Sequence, residues 1–240
     1  MIKQSEFLRR GDFQILIILD ACRLDIFQEV IQEYDQLKGV LHEVDSEATC
    51  TPHWYNKHWS HKNKVVLISA NPQPWWKGAN FAARNFRTNV RAWNEDNDTN
   101  RVNSTLRYLL NYIKKSEGDT HYMVHCVPPH LPFLGEKGVE LFDSLTQGEK
   151  VEGQKIYRLI EKYGRETGDW GRVRECYKEN LRIALVDIIE NMSELKNYRV
   201  VITSDHGELI GEDGLYDHLS NPRTIEQEKI LRTVPYYEIL

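Results

Sequence analysis

The 240-residue chain has no apolar run approaching the length of a membrane span. Its longest, Ile15 to Leu19, is too short for a signal-peptide core and stops at Asp20. Cysteine is sparse: Cys22, Cys50, Cys126 and Cys176 lie far apart and form no C-x-x-C pair. That spacing excludes a disulfide framework and reads as the reduced thiols of a cytoplasmic protein. Positive charge is not in excess either. With 31 Lys and Arg against 36 Asp and Glu, the net charge is −5, and the basic residues are scattered. This argues against a general nucleic-acid binder or a binder of anionic membranes. There is no internal repeat and no low-complexity tract. Three N-x-S/T triplets, at Asn97, Asn103 and Asn191, are chance matches in the absence of a secretion signal.

What is present is ordinary in composition and long enough to bury a sizeable core, and a single domain over residues 1–240 is expected. "FQILIIL" (13–19) is a continuous apolar run, as in a strand of a parallel sheet buried on both faces. Further strands are expected at 64–69 ("KVVLIS"), 121–127 ("HYMVHCV") and 198–204 ("YRVVITS"). Helical stripes occupy 24–34, 102–115 and 173–192. Strands alternating with helices predict an α/β fold, a mainly parallel sheet sandwiched by helices.

In such folds, sites form at the carboxyl ends of the strands. The polar residues fall there. Asp20 ends the first strand, His125 and His130 the third, and Asp205 and His206 the fourth, with His218 soon after. Each also has a plain structural role open to it. Asp20 can cap the next helix. His125 can be a hydrogen-bonded core histidine. "SDHGE" can be a turn with Gly207 at positive φ. Jointly they point to a metal site, and a mixed Asp/His set without paired thiolates suits Zn²⁺ or Mn²⁺ more than Ca²⁺. His42, His53, His58, His61 and His121 have no comparable context.

"TCTPHW" (49–54) adds candidate nucleophiles. Pro52 suits the first position of a helix, which makes Thr51 the expected N-cap. A hydroxyl there sits beside free backbone N–H groups, in a place able to hold a phosphate or sulfate. A threonine that only caps its helix would look the same in sequence.

Together these segments resemble the alkaline phosphatase/sulfatase superfamily. "VVITSDHGELIGEDGLYDH" (200–218) is similar to its S-D-H-G-E-x-x-G-E-x-G stretch, in particular to the version in phosphoethanolamine transferases. "PPHLPF" (128–133) resembles the P-H-x-P element of sulfatases. "ILDACRLDIF" (18–27) and "LRTVPYYEI" (231–239) resemble a compact, archaeal-type sulfatase-like branch. The resemblance implies an alkaline phosphatase-like core, with no C-terminal subdomain in a chain ending at Leu240. It implies a metal held by Asp20, Thr51, Asp205 and His206. It also implies that His130 and His218 contact the phosphate or sulfate or hold a second metal, with His125 a weaker member of the group. Three departures point to one principal metal: Asp20 is followed by Ala21 and Cys22 rather than a second carboxylate, Cys126 replaces an aspartate, and no histidine follows His218. A second site would draw on His130, His218 and Asp217.

The expected activity is a metal-dependent hydrolase or transferase acting on a small-molecule or glycan phosphate or sulfate ester. Thr51 is the nucleophile and His130 and His218 assist, while Arg23 adds charge or serves a salt bridge. Thr49 and Ser46 are reserves. A formylglycine sulfatase using Cys50 is the first alternative. Cys50-Thr51-Pro52-His53 fits the start of C-x-P-x-R, but Trp54 stands where the arginine belongs. A non-catalytic anion-binding module, using Trp75, Trp76 and Trp93, is the second. Residues 71–100 and 134–170, which carry no readable motif, are expected to shape the substrate cleft.

Overall fold

The computed structural model describes residues 1–93, 101–115, 120–147, 149, 151 and 153–240. The Asn97 triplet lies outside the described residues. Asn103 and Asn191 sit in helices, and Asn191 is buried and bonded to the Asp187 carbonyl.

The strands are β1 (Ile2–Lys3), β2 (Ile15–Leu19), β3 (Gly39–Asp45), β4 (Val66–Ser69), β5 (Thr88–Arg91), β6 (Tyr122–Cys126), β7 (Val200–Thr203), β8 (Leu209–Ile210), β9 (Tyr216–Asp217) and β10 (Thr233–Ile239). The helices are α1 (Gln4–Arg10), α2 (Leu24–Ile31), α3 (Thr51–His58), α4 (Val102–Ile113), α5 (Glu136–Thr146), α6 (Gln154–Thr167), α7 (Trp170–Leu195) and α8 (Ile225–Arg232). Eight strands form one sheet in the order β1-β3-β10-β7-β2-β6-β4-β5, and β8 and β9 form a separate antiparallel pair. Every pairing in the large sheet is parallel except those of β10.

The expected strands and helices are all present, with ends trimmed by one or two residues in the strands. The continuous apolar character of β2 has the expected cause. Ile15, Ile17 and Leu19 pack on one face with α2, α4 and α7, while Leu16 and Ile18 pack on the other with Phe7, Trp54 and Tyr55. Successive side chains point to opposite faces, so a central strand covered on both sides can spare no polar position. Gly168, at φ 72°, ends α6, and the Asp169 side chain accepts from the Arg172 N–H to start α7.

β3 and β10 were not legible as strands. β3 is half-exposed and mixes polar with apolar residues. β10 carries Pro235, which sequence rules exclude from a central strand. Pro235 lies just beyond the three residues that pair with β7, and its carbonyl accepts from the Thr203 hydroxyl at 2.6 Å.

The topology does one thing for the site. β2, β3, β4, β6 and β7 run in the same direction, so their carboxyl ends share one edge of the sheet. The turns after them bring together segments from both ends of the chain.

Candidate active site

The turn after β2 is pinned from below. Ala21 takes a left-handed conformation (φ 57°), its N–H donates to Asp205 Oδ1 (3.1 Å), and its carbonyl accepts from the Tyr177 hydroxyl. The Cys22 N–H donates to Ser204 Oγ at 2.7 Å. Asp20 is thereby held against the turn after β7 and is not a helix cap, since Arg23 occupies the position before α2.

Two carboxylates there share one pattern, in which one oxygen is tied down by the protein and the other is left over, and His206 beside them meets the Thr51 hydroxyl with its second ring nitrogen. Asp205 Oδ1 accepts from the Ala21 and His206 N–H groups, and Oδ2 has no hydrogen-bond partner among the described residues. Asp20 Oδ2 accepts from Asn71 Nδ2, and Oδ1 has no such partner. His206 Nδ1 donates to the Gly207 carbonyl (2.8 Å), so Nε2 carries the lone pair. Nε2 lies 3.5 Å from both free carboxylate oxygens. All three residues are buried. Burial, then the Asp205 charge, raises the Asp20 pKa. Burial lowers that of His206 to about 4 despite the neighbouring Asp205 carboxylate. Buried carboxylate oxygens without partners are costly unless a cation meets them, and ligands oriented through their second atom are what a metal site requires. The donor set of two carboxylates and an imidazole fits Zn²⁺ or Mn²⁺.

Thr51 joins this group, with Oγ1 3.2 Å from His206 Nε2. The expected N-cap role is corrected. Cys50, extended at φ −162°, is the cap residue, Thr51 is the first helical residue and Pro52 the second. Proline is tolerated throughout the first turn, where backbone N–H groups have no intrahelical acceptor, so it did not fix the start to one residue. Cys50 Sγ faces Ser220 Oγ at 3.7 Å, and burial raises its pKa. Thr49 and Ser46 do not reach the group; their hydroxyls donate to the carbonyls of Ser220 and Ala48. Trp54 is a core side chain that donates to Gln4 Oε1.

A second cluster comprises His130, Glu208 and His218. Glu208, not Asp217, supplies its carboxylate. Glu208 is fully buried, with Oε1 3.3 Å from His218 Nδ1 and Oε2 unpartnered among the described residues. Asp217 is half-buried and accepts its neighbour's N–H, that of His218, at 2.7 Å. Burial opposes charge on His218, but the carboxylates of Glu208, Asp20 and Asp217 outweigh it and raise the pKa to about 9. His130 is held in its loop by Asn180, whose Nδ2 meets the carbonyls of Pro129, His130 and Pro132 at 3.0 to 3.1 Å. His125 lies deeper. Its Nδ1 bonds the Tyr55 hydroxyl at 2.8 Å, and Nε2 stands 3.8 Å from Asp20 and Asp205 without a hydrogen-bond partner among the described residues. It is a core histidine that also borders the Asp20–Asp205–His206 cluster.

Arg23 turns away from the cleft into ion pairs with Asp25 and Glu212. Gly207 is not at positive φ; a methyl group there would sit 2.4 Å from the Ile230 carbonyl oxygen. The cleft above the clusters has a volume of about 290 Å³ and is lined by Asp20, Thr51, Asn71, Trp93, His130 and His218 among others. Trp93 also packs edge-on against Trp75 at 4.7 Å.

No family model matches the chain. Solved structures match nearly all of it. The soluble domain of lipooligosaccharide phosphoethanolamine transferase A from Neisseria meningitidis superposes with a TM-score of 0.62 at 16% identity, over 94% of this chain and 75% of that one. The C-terminal periplasmic domain of phosphoethanolamine transferase EptC from Campylobacter jejuni gives 0.60 at 14% identity, over 93% and 77%. The chain has the alkaline phosphatase/sulfatase-like fold. A zinc complex is among the other structures with this fold: the periplasmic domain of Escherichia coli EcEptC matches at a TM-score of 0.54 and 11% identity, over 94% of this chain and 71% of that one. Among curated proteins, the ribosomal protein uS12 methylthiotransferase RimO of Lachnoclostridium phytofermentans is 26% identical over 123 residues. The match covers 42% of this chain and only 28% of that protein, and it assigns no family.

Hydrogen bonds into the two clusters and the loop of His130 mark the residues that sequence reasoning passed over. Glu208 stood in the quoted S-D-H-G-E stretch and was readable there. Asn71, Tyr55, Tyr157 and Asn180 carried no motif; the one signal was a polar Asn180 within the apolar stripe of α7.

Proposed function

We propose that the chain is a metal-dependent enzyme that cleaves or transfers a phosphate ester, with Thr51 as nucleophile and one cation held by Asp20, Thr51, Asp205 and His206. The observation that carries this is the convergence of the Thr51 hydroxyl on His206 Nε2 (3.2 Å) beside two buried, unpartnered carboxylate oxygens. A divalent cation bound there would offset the carboxylate charges and lower the pKa of the Thr51 hydroxyl.

The chain's own residues supply the rest. Thr51 Oγ1, its proton released to solvent through the cleft it lines, attacks phosphorus in line; the bond to the leaving oxygen breaks, and a phosphothreonine forms. The N-terminus of α3 presents backbone N–H groups toward the transferred group. His218, steadied through Nδ1 by Glu208, has its other ring nitrogen for the negative oxygens or for the leaving oxygen. Water or a second alcohol then takes the group from Thr51. The names of the similar structures favour phosphate over sulfate. The aim of Cys50 at Ser220, and Trp54 in the arginine position, weigh against the formylglycine sulfatase.

Residues 1–240 are taken as one catalytic domain. The four buried free cysteines favour a reducing, cytoplasmic location, although the EptC neighbours are periplasmic domains.

The test is turnover of an aryl phosphodiester panel with mass spectrometry of the Thr51 peptide. Thr51→Ala should lose at least about 10³-fold in kcat and form no phosphopeptide, whereas Cys50→Ser stays within about threefold. Wild-type turnover by Thr51→Ala, or an adduct mapped elsewhere, rejects the assignment.

A further inference from the structure

Tyr157, on α6 within the stretch that carries no readable motif, places its hydroxyl 2.5 Å from His130 Nε2. The direction of this bond follows from the other side of the ring. His130 Nδ1 lies 2.7 Å from the Leu131 carbonyl, which can only accept, so Nδ1 carries the proton. Nε2 therefore holds the lone pair, and the Tyr157 hydroxyl donates to it. Both ring nitrogens of His130 are engaged. That lone pair is the one His130 would offer a cation in the cluster with Glu208 and His218. Glu208, whose Oε2 has no hydrogen-bond partner among the described residues, otherwise makes the cluster receptive.

We propose that Tyr157 is a positioning residue that occupies the ligand nitrogen of His130 and so keeps the His130–Glu208–His218 cluster from taking a second divalent cation at concentrations that fill the first site. The inference rests on the one-cation reading above. The tyrosine ring packs against Tyr216 (5.7 Å) and His218 (6.1 Å), so Tyr157→Phe removes the hydroxyl and retains the packing.

Zinc per chain is measured by equilibrium dialysis against buffers of graded free Zn²⁺, for wild type, Tyr157→Phe and Tyr157→Phe/His130→Gln. The first equivalent should bind alike in all three. The second should enter Tyr157→Phe at roughly 3- to 10-fold lower free Zn²⁺ than wild type, the worth of one neutral hydrogen bond. The double variant should lose that gain. Equal second midpoints in wild type and Tyr157→Phe, or a gain that survives His130→Gln, overturn the proposal while leaving the first site standing. Failure of wild type to take up a first equivalent sinks the one-cation reading and this inference with it, whereas a first equivalent lost only in a variant overturns the inference alone, because the two sites are then not separate. Nitrogen-15 shifts of His130 give an independent check in the metal-free protein. Tyr157→Phe should move Nε2 toward a free lone pair and leave Nδ1 protonated, and an unchanged Nε2 shift counts against the bond.

Discussion

Asp20 Oδ1 and Asp205 Oδ2 stand the same 3.5 Å from His206 Nε2, and neither has a hydrogen-bond partner among the described residues. Two buried carboxylates so placed repel each other and lack water to screen them. The metal-free protein therefore carries a local penalty that a cation bound there would relieve.

Zinc should raise the melting temperature of the wild type. At 100 times Kd, mass action gives about 2.7 kcal/mol, or roughly 5 to 10 °C for a chain of this size. Asp205→Asn should abolish the shift, because it takes the charge from one of the two carboxylates that would meet the cation. A full zinc shift in Asp205→Asn, read by differential scanning fluorimetry, would remove Asp205 from the ligand set.

Asn180 is the second point of leverage. It is fully buried, its Nδ2 serves three carbonyls of the 129–132 loop, and its Oδ1 accepts from the Leu134 N–H at 2.8 Å. Truncation takes the partner from those groups, the Pro129 carbonyl in a fully buried bond and the others part-buried. Asn180→Ala should cost roughly 2 to 4 kcal/mol in urea unfolding. It should also lower turnover of the protein that remains folded, because the loop carries His130. A loss under about 0.5 kcal/mol would show that the loop is held by other contacts.

The parts of this molecule that could be read in sequence were those governed by one local rule. β2 and β7 announce themselves because both faces are buried, and Asp20, Asp205 and His206 stand out because they end such strands. Residues whose role is set by a partner far along the chain did not show. Asn71 meets Asp20, Tyr55 meets His125, and Tyr157 meets His130. None of those three carries periodicity or spacing that marks it. Thr51 was read one position off because proline constrains a whole helical turn rather than a single residue. β10 was hidden by Pro235, whose missing N–H costs nothing where the β7 pairing has already ended.

The turn that carries Asp20 is also anchored by charge, and this gives a prediction in acid. Asp25 accepts from Arg23 Nε and Nη2 at 2.9 and 3.0 Å and from Arg174 Nη2 at 3.0 Å. Burial alone would raise its pKa, but the Arg23 and Arg174 bonds outweigh it and hold the carboxyl at about 2. In the unfolded chain an aspartate titrates near ~3.9. A folded pKa below the unfolded one means that the stabilisation is complete above about pH 4 and lost as pH falls through about 2. The side chain is 49% exposed, so solvent screening keeps the effect small. Asp25→Asn should melt below wild type at pH 7, and the gap should close as pH drops from 4 toward 2. Arg23 keeps Glu212 in either case, at 2.6 Å. A gap that is the same at pH 7 and pH 2.5, in thermal melts at constant ionic strength, would mean that Asp25 acts through packing and not through its charge.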